Sequence, residues 1–378
     1  MITYHHIGGR NGTYPLPLKK GPLLQDFHLI LYDADTNCFD QMKQTVHSGW
    51  GKVDVYPYCI GGQTGRSQFH LNFHPTTNSL YPFNDEFKDY NMVHNPLYGE
   101  YVFGDACQHM RSVELELYSL EDALTASNIP SIDFLSLDVQ GAEYDILNGA
   151  TGLLQRDCIG VQLEVEFVKL YQGQKTFSDI NVLMESLGFE LLELGSFGRC
   201  APMSLPIGFR GLEQPLYAEA VYIKKLSRLD NHIEQLYKGA LFSLMYKKLG
   251  LCLKFLSKIA DMGQIGRDNP RDGLFNQCLA DIWAVYEASQ HIKLPKLSQL
   301  FSNERFQNYY GQKEVVGTLE LQSVQDMMQG ILPTVTSMRD YSCSPLEKIL
   351  RQYELSDVAD AVRENRDHET NCFLELNA

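Results

Sequence analysis

Three residues at one turn could do chemistry together. Asp138, Gly141 and Glu143 close the run Ile132-Asp-Phe-Leu-Ser-Leu-Asp-Val-Gln-Gly-Ala-Glu143. Ile132, Phe134, Leu135, Leu137 and Val139 predict a short strand buried on both faces. The run ends on a carboxylate, then a glycine past which another group can approach, then a second carboxylate opening a helical stretch. In an open parallel sheet, ligands sit beyond the carboxyl ends of the strands. The turn therefore predicts a site at Asp138, with Glu143, or Glu164 near the end of the next strand, as helper. An ordinary strand-to-helix turn, with Asp138 as its cap, has the same local pattern. Strand-end carboxylates also suit a hard cation. No second clear ligand accompanies Asp138, so a divalent metal stays open. His70 and His74 have the spacing of helical metal ligands, but their stretch reads as strand or loop without an acidic partner at a helical offset.

Such a turn needs neighbouring strands to hold it. A first strand, Ile2 to Ile7, runs into Gly8-Gly9-Arg10-Asn11-Gly12, a loop whose amides could approach a nucleotide-like ligand, or a bare glycine turn. A second strand, His28 to Tyr32, ends at Asp33-Ala34-Asp35. A carboxylate there, roughly 20 residues past the glycine loop, suits a ribose diol. Alternatively Asp35 caps a helix through Asn37 to Met42 while Asp33 is merely solvated. Val53 to Tyr58 is the third strand, followed by Cys59-Ile60-Gly61-Gly62, and Arg66 to Asn72 reads as a hairpin strand. Phe83 to Arg111 is a long insertion of aromatic and polar residues, either a lid with substrate contacts or packing onto its parent domain. Val113 to Tyr118 alternates strictly, as a strand with one exposed face, and Ser119 with Asp122 forms the start of a capping box. Beyond the central turn come a strand at Ile159 to Val165, a helix at Phe177 to Leu187, and closing strands at Phe189 to Leu194 and Tyr217 to Ile223, expected to be antiparallel.

These motifs, in this order, resemble the FkbM-type methyltransferase family. The family carries Ile-Asp-hydrophobic-Leu-Lys-Ile-Asp-Val-Glu-Gly-Ala-Glu, and this chain keeps the frame from Ile132 to Glu143 with Ser136 in place of Lys and Gln140 in place of Glu. A family motif Asp-Val-Gly-Ala-Asn-x-Gly is similar to His6 through Gly12, with His6 at the acid position. Phe-Glu-Pro-Asn-Pro-x-x-Phe is similar to Tyr32 through Phe39, which puts Asp33 at the ribose-binding acid. The turn from Cys59 to Gly65 resembles the one where the adenine lies, and Ser79-Leu80 resembles the Ser-Ser-Leu that follows it. The likeness covers Met1 to about Lys225. It implies a Rossmann-like class I methyltransferase sheet, α/β and mostly parallel, with an antiparallel closing strand. It also implies S-adenosylmethionine as cofactor, held by Gly8, Gly9, Arg10, Asn11, Gly12, Asp33, Ala34, Cys59 and Ile60. The implied reaction is O-methylation, often of a sugar or glycan hydroxyl.

Past Arg228 the pattern changes to apolar residues at helical spacing, in His232 to Ile259, Leu274 to His291 and Leu346 to Val362. This predicts a methyltransferase domain at 1–226 and an all-helical domain at 227–378, for holding substrate or forming a homo-oligomer. The 378 residues suit two domains, and the net charge of −15 disfavours non-specific binding to nucleic acid or anionic membrane. Nine scattered cysteines without metal spacing, no signal-like amino terminus and no apolar run of bilayer length lead to the expectation of a cytoplasmic protein. Two rival classes exist. His6, Ser136 and Gln140 would suit a cofactor-binding or scaffold module with altered catalysis. An oxidoreductase is weaker, because the Gly-x-Gly-x-x-Gly spacing is absent.

Overall fold

In the computed structural model the described residues are 1–8, 17–18, 20–35, 39, 42–43, 46, 49–95, 99–129, 131–203, 213–229, 232–265, 273–289 and 345–375. Gly9, Arg10, Asn11 and Gly12 of the predicted cofactor loop, and most of the helix expected after Asp35, lie outside them. Packing divides the chain into two compact units, Met1–Tyr246 and Lys247–Ala378.

The first unit is built on a nine-stranded sheet. Its parallel half contains β1 (Ile2–Ile7), β2 (Phe27–Tyr32), β3 (Lys52–Tyr56), β9 (Phe134–Leu137) and β10 (Gly160–Glu166). β12 (Gln214–Lys224) and β11 (Phe189–Ala201) continue it antiparallel. The spatial order β3-β2-β1-β9-β10-β12-β11 puts β1 and β9 at the centre, with the strand order reversing between them. The crevice beyond their carboxyl ends is the place for a ligand in such a sheet. β1 and β9 form this centre because nearly every residue in them is buried. β1 carries two histidines into the interior, and both are paired. His5 Nδ1 lies 3.1 Å from the Tyr32 hydroxyl, and His6 Nδ1 lies 3.0 Å from Ser136 Oγ across the β1–β9 ladder. At the opposite end of the same strands, the Thr3 amide donates to Asp133, and Lys238 reaches the other Asp133 oxygen at 2.7 Å.

The insertion adds structure rather than a loop. β6 (Asn91–Asn95) and β7 (Gly99–Val102) form a hairpin that joins the far edge of the sheet beside β11, at Cys200 and Ala201. A single turn, α1 (Phe103–Ala106), follows it. Phe87, Phe103 and Cys107 pack with Leu170, Tyr171, Cys200 and Leu216, so this segment shares a core with the parent unit. A second, three-stranded sheet contains β4 (Cys59–Ile60), β5 (Gly65–Asn72) and β8 (His109–Tyr118), in the order β4-β8-β5. The expected hairpin strand at Arg66 to Asn72 thus pairs with β8 across the whole insertion. The third strand of the main sheet stops at Tyr56, because Cys59 and Ile60 leave it to pair with Leu117 and Tyr118.

Helices α2 (Leu120–Ser127), α3 (Glu143–Gly149), α4 (Thr151–Arg156) and α5 (Phe177–Ser186) complete the α/β layers. Ser119 caps α2 by accepting from the Asp122 amide, as its spacing predicts. α6 (Ile233–Met245) also lies on the sheet: the Phe242 ring packs tilted against Phe134 with centroids 4.9 Å apart, and a Cβ on Gly160 would meet the Phe242 ring at 2.2 Å. The expected boundary at 226/227 therefore precedes α6, the last element packed on the sheet, and the first unit runs to Tyr246. The second unit contains α7 (Leu249–Asp261), α8 (Leu274–Ser289), α9 (345–352) and α10 (Ser356–Glu375). Cys252, Phe255, Leu256 and Ile259 form the buried stripe of α7, and Tyr353 donates to Asp281 of α8 at 2.9 Å. The stretch Leu346 to Val362 is two helices, parted where Glu354 takes a φ of 57°. No described helix is long and apolar enough to cross a membrane.

Candidate functional site

A cavity of ≈ 430 Å³ opens beyond the carboxyl ends of the central strands. Gly8, Asp33, Ala34, Cys59, Ile60 and Asp138 all line it, so the ends of β1, β2, β3 and β9 bring together the predicted residues that fall in the described chain on that side. Glu143 and Glu164 are not among its lining residues.

The floor is set by close approach of backbones. Gly8 donates its amide to Tyr32 O, and the Asp138 amide donates to Ile7 O. Gly8 has a φ of 88°, and a Cβ there would lie 1.9 Å from the Asp138 carbonyl oxygen. Only glycine fits a junction this tight. Asp33 lies beyond the end of β2, and its Oδ1 accepts the Asp35 amide at 2.8 Å, which fixes the turn and the carboxylate together. Tyr32 and Tyr58 line the same end and are stacked at 6.4 Å, and Tyr58 packs 4.5 Å from Tyr118. The Cys59 thiol is pushed up to about 12, by burial first and by the Asp33 charge second, so it is a packing group and not a nucleophile.

Asp138 sits where the floor meets a buried polar network. Gln140 is its hub. The Gln140 amide nitrogen donates to Asp138 Oδ1 at 2.8 Å and to Glu164 Oε1 at 3.2 Å, while its oxygen accepts from the Tyr171 hydroxyl at 3.1 Å. Gln140 takes a left-handed φ of 57° and Gly141 one of 104°, which turns the loop back toward α3. Glu143 secures that loop: its two oxygens accept the Val139 and Gly141 amides at 3.0 and 2.9 Å. It is 1% exposed. Burial pushes the Glu143 carboxyl up to about 7, with the Asp138 charge adding and the loop amides opposing. Burial likewise raises Asp138, against the pull of Gln140, and raises Glu164 well above its ordinary value, with Asp138 the next cause. A carboxylate raised in this way is a stronger base than one in water.

His6 and Ser136 occupy positions where the family pattern has an acid and a lysine, and they are hydrogen-bond partners. A neutral pair thus fills a contact between strands where opposite charges would otherwise face each other, which avoids desolvating two ions. Burial lowers His6 to about 4, so it is neutral at physiological pH. His6 does not line the cavity. His70 and His74 go to separate partners, Ser112 and Thr76. Among the described residues, no three His, Cys, Asp or Glu side chains converge as a metal site.

The roof is what sequence reasoning missed. Phe69 and Leu71 of β5 and Arg111, Val113 and Leu115 of β8 face the cavity. The signal for it is the strict alternation of β8, because residues two apart share a face.

Comparison with known proteins gives one family. Residues 31–191 match the methyltransferase FkbM domain. No curated protein sequence matches the chain. Among solved structures, magnesium protoporphyrin IX methyltransferase from Synechocystis PCC 6803, determined with SAM bound, is similar at 10% identity, with a TM-score of 0.30 over 59% of this chain and 70% of that one. Methyltransferase FkbM from Methylobacillus flagellatus KT is similar at 12% identity, with a TM-score of 0.30 over 59% of this chain and 43% of that one.

Proposed function

Since residues 31–191 match the methyltransferase FkbM domain, we propose that the first unit binds S-adenosylmethionine in the cavity and methylates a hydroxyl oxygen, with a sugar or a similarly hydroxylated molecule as acceptor. The carrying observation is one cavity lined both by Asp33, at the position suited to a ribose diol, and by a raised carboxyl, Asp138. The residues fit the cofactor. Asp33 offers its carboxylate at the position suited to ribose hydroxyls, Tyr58 with Cys59 and Ile60 forms a flat, mainly apolar end suited to a purine, and Gly8 leaves the floor free of a side chain. When bound, the cofactor supplies an electrophilic methyl group.

The chain's own residues do the rest. Asp138 accepts the hydroxyl proton as the oxygen attacks, and its raised affinity for protons helps it do so. Gln140 holds Asp138 in place and links it to Glu164. Glu143 is a positioning residue, because both of its oxygens bind the loop. The helical unit remains a candidate for substrate holding or self-association.

Methyl transfer to a panel of sugars, with S-adenosylhomocysteine titrated against the same samples, tests the reading. Asp138→Asn should keep cofactor affinity and lose about 10²–10⁴-fold in turnover. Full turnover in that variant would remove Asp138 from the chemistry. Cofactor binding without transfer to any hydroxyl would favour a binding module instead.

A further inference from the structure

We propose that the acceptor is an amphipathic anion, held with its apolar body against the roof of the cavity and its carboxylate or phosphate against Arg111. This rests on the reading of the cavity as a methyl-transfer site. β8 is the ruler for the argument. At one end Leu117 pairs with Cys59, beside the end of the cavity assigned to the purine. At the other end Arg111 pairs with Leu71. Leu117 lies six residue rises along the strand from Arg111, a span of about 20 Å at ~3.3 Å per residue. The side chains of Leu115, Val113 and Arg111 lie successively along the cavity face, so the cavity continues well past the cofactor end.

That far section has its own chemistry. Phe69, Leu71, Val113 and Leu115 are half-buried, partly covered by one another and partly open to the cavity. Beneath them the Ser79 hydroxyl donates to Gln140 O, and Tyr171 donates to both Thr77 O and Gln140, which keeps this section next to Asp138. Among the described lining residues Arg111 is the one cation, and no described side chain pairs with it. The other charged lining residues are Asp33, Asp35 and Asp138. Asp33 is assigned to the ribose and Asp138 to the hydroxyl. An exposed guanidinium at the end of an apolar wall, in a chain of net charge −15, selects for a negative group at that point. It also repels an amine of the same shape. The acceptor class that satisfies both features carries an apolar portion, a hydroxyl within reach of Asp138, and an anion.

The test is calorimetric binding to the full chain saturated with S-adenosylhomocysteine, using 4-phenylbutyrate, 4-phenylbutyl phosphate and the uncharged 4-phenylbutanol. The wild type should bind at least one anion about tenfold or more tightly than the alcohol, the low end for a hydrogen bond to a charged group. Which anion is preferred separates a carboxylate from a phosphate acceptor. Arg111→Gln should abolish the preference and Arg111→Lys should retain part of it. Equal affinity for acid and alcohol, no binding by any of the three, or a preference that survives Arg111→Gln overturns the proposal. Weakened S-adenosylhomocysteine binding in Arg111→Gln also overturns it, by placing Arg111 at the cofactor. If S-adenosylhomocysteine fails to bind the wild type while the anion preference and its dependence on Arg111 hold, the methyl-transfer reading falls and the anion site stands.

Discussion

Gln140→Glu tests whether an amide is what lets Asp138 and Glu164 share one buried junction. The native side chain gives its two amide hydrogens to these carboxyls, at 2.8 and 3.2 Å, and accepts from Tyr171 with its oxygen. The substitution keeps the shape and the Tyr171 bond but exchanges both donors for an acceptor. Hydrogen bonds to charged groups contribute about 1.5–3 kcal/mol each. Burial raises both carboxyls, which lessens the charge each bond meets, so the low end applies and the pair is worth about 3 kcal/mol. For a domain of roughly 150–250 residues that lowers Tm by about 6–12 °C. The pH dependence has a definite sign. A new carboxyl buried beside two acids has a folded pKa above its unfolded value of about 4.3. The folded state then holds a proton that the unfolded state lacks, so the deficit is largest at high pH and shrinks as pH falls toward about 4.3. Thermal unfolding of the wild type, Gln140→Glu and Gln140→Leu at pH 8 and pH 5.5 measures this. Relative to wild type at each pH, Gln140→Glu should recover much of its loss at pH 5.5, and Gln140→Leu should not. A Gln140→Glu protein as stable as wild type at pH 8, or one with the same deficit at both pH values, refutes the reasoning.

Asp33→Ala should weaken S-adenosylhomocysteine binding by about 1.5–3 kcal/mol; unaltered calorimetric affinity would take Asp33 out of the site. Gly8→Ala should be severely destabilised or insoluble, because its Cβ would lie 1.9 Å from the Asp138 carbonyl; a wild-type Tm would mean that the strand ends can part freely. A chain ending at Tyr246 should fold, whereas one ending at Lys225 should not, since it uncovers Phe134 and loses Phe242, Leu241 and Leu236, each worth about 1.5–3 kcal/mol of burial. Circular dichroism separates the two outcomes, and a stable protein ending at Lys225 would place α6 outside the core.

The central strands were legible because each is a short apolar run with a chemical residue at its end. Asp33 and Asp138 could be placed by position alone, and both line the cavity. Direction was not legible. Glu143 and Glu164 have the right spacing in the chain, but the loop amides take the first and Gln140 takes the second. Long-range pairing was hidden as well. His6 and Ser136 read as two separate departures from a family pattern, yet they are one contact between residues 130 positions apart. Arg66 to Asn72 has the pattern of a hairpin strand, and nothing local says that its partner lies beyond an insertion. An amphipathic helix such as α6 announces a buried face but not what covers it, which is why the domain boundary seemed to fall before it.

The irregular course of β11 bears on whether its edge can pair with another chain. Among the described residues its outer edge is paired only at Cys200 and Ala201, leaving most of a long strand able to template another chain. Leu191 and Phe197 are exposed on it, which would make such pairing adhesive. Its ladder to β12, however, is broken between Leu191 and Glu193 and twice between Gly195 and Arg199, and Ser196 takes a left-handed φ of 51°. Bulges of this kind twist a free edge so that a straight partner cannot run along it. The kinks therefore act as a guard against edge-to-edge aggregation, and deleting Ser196 to straighten the strand should increase aggregation through the sheet edge.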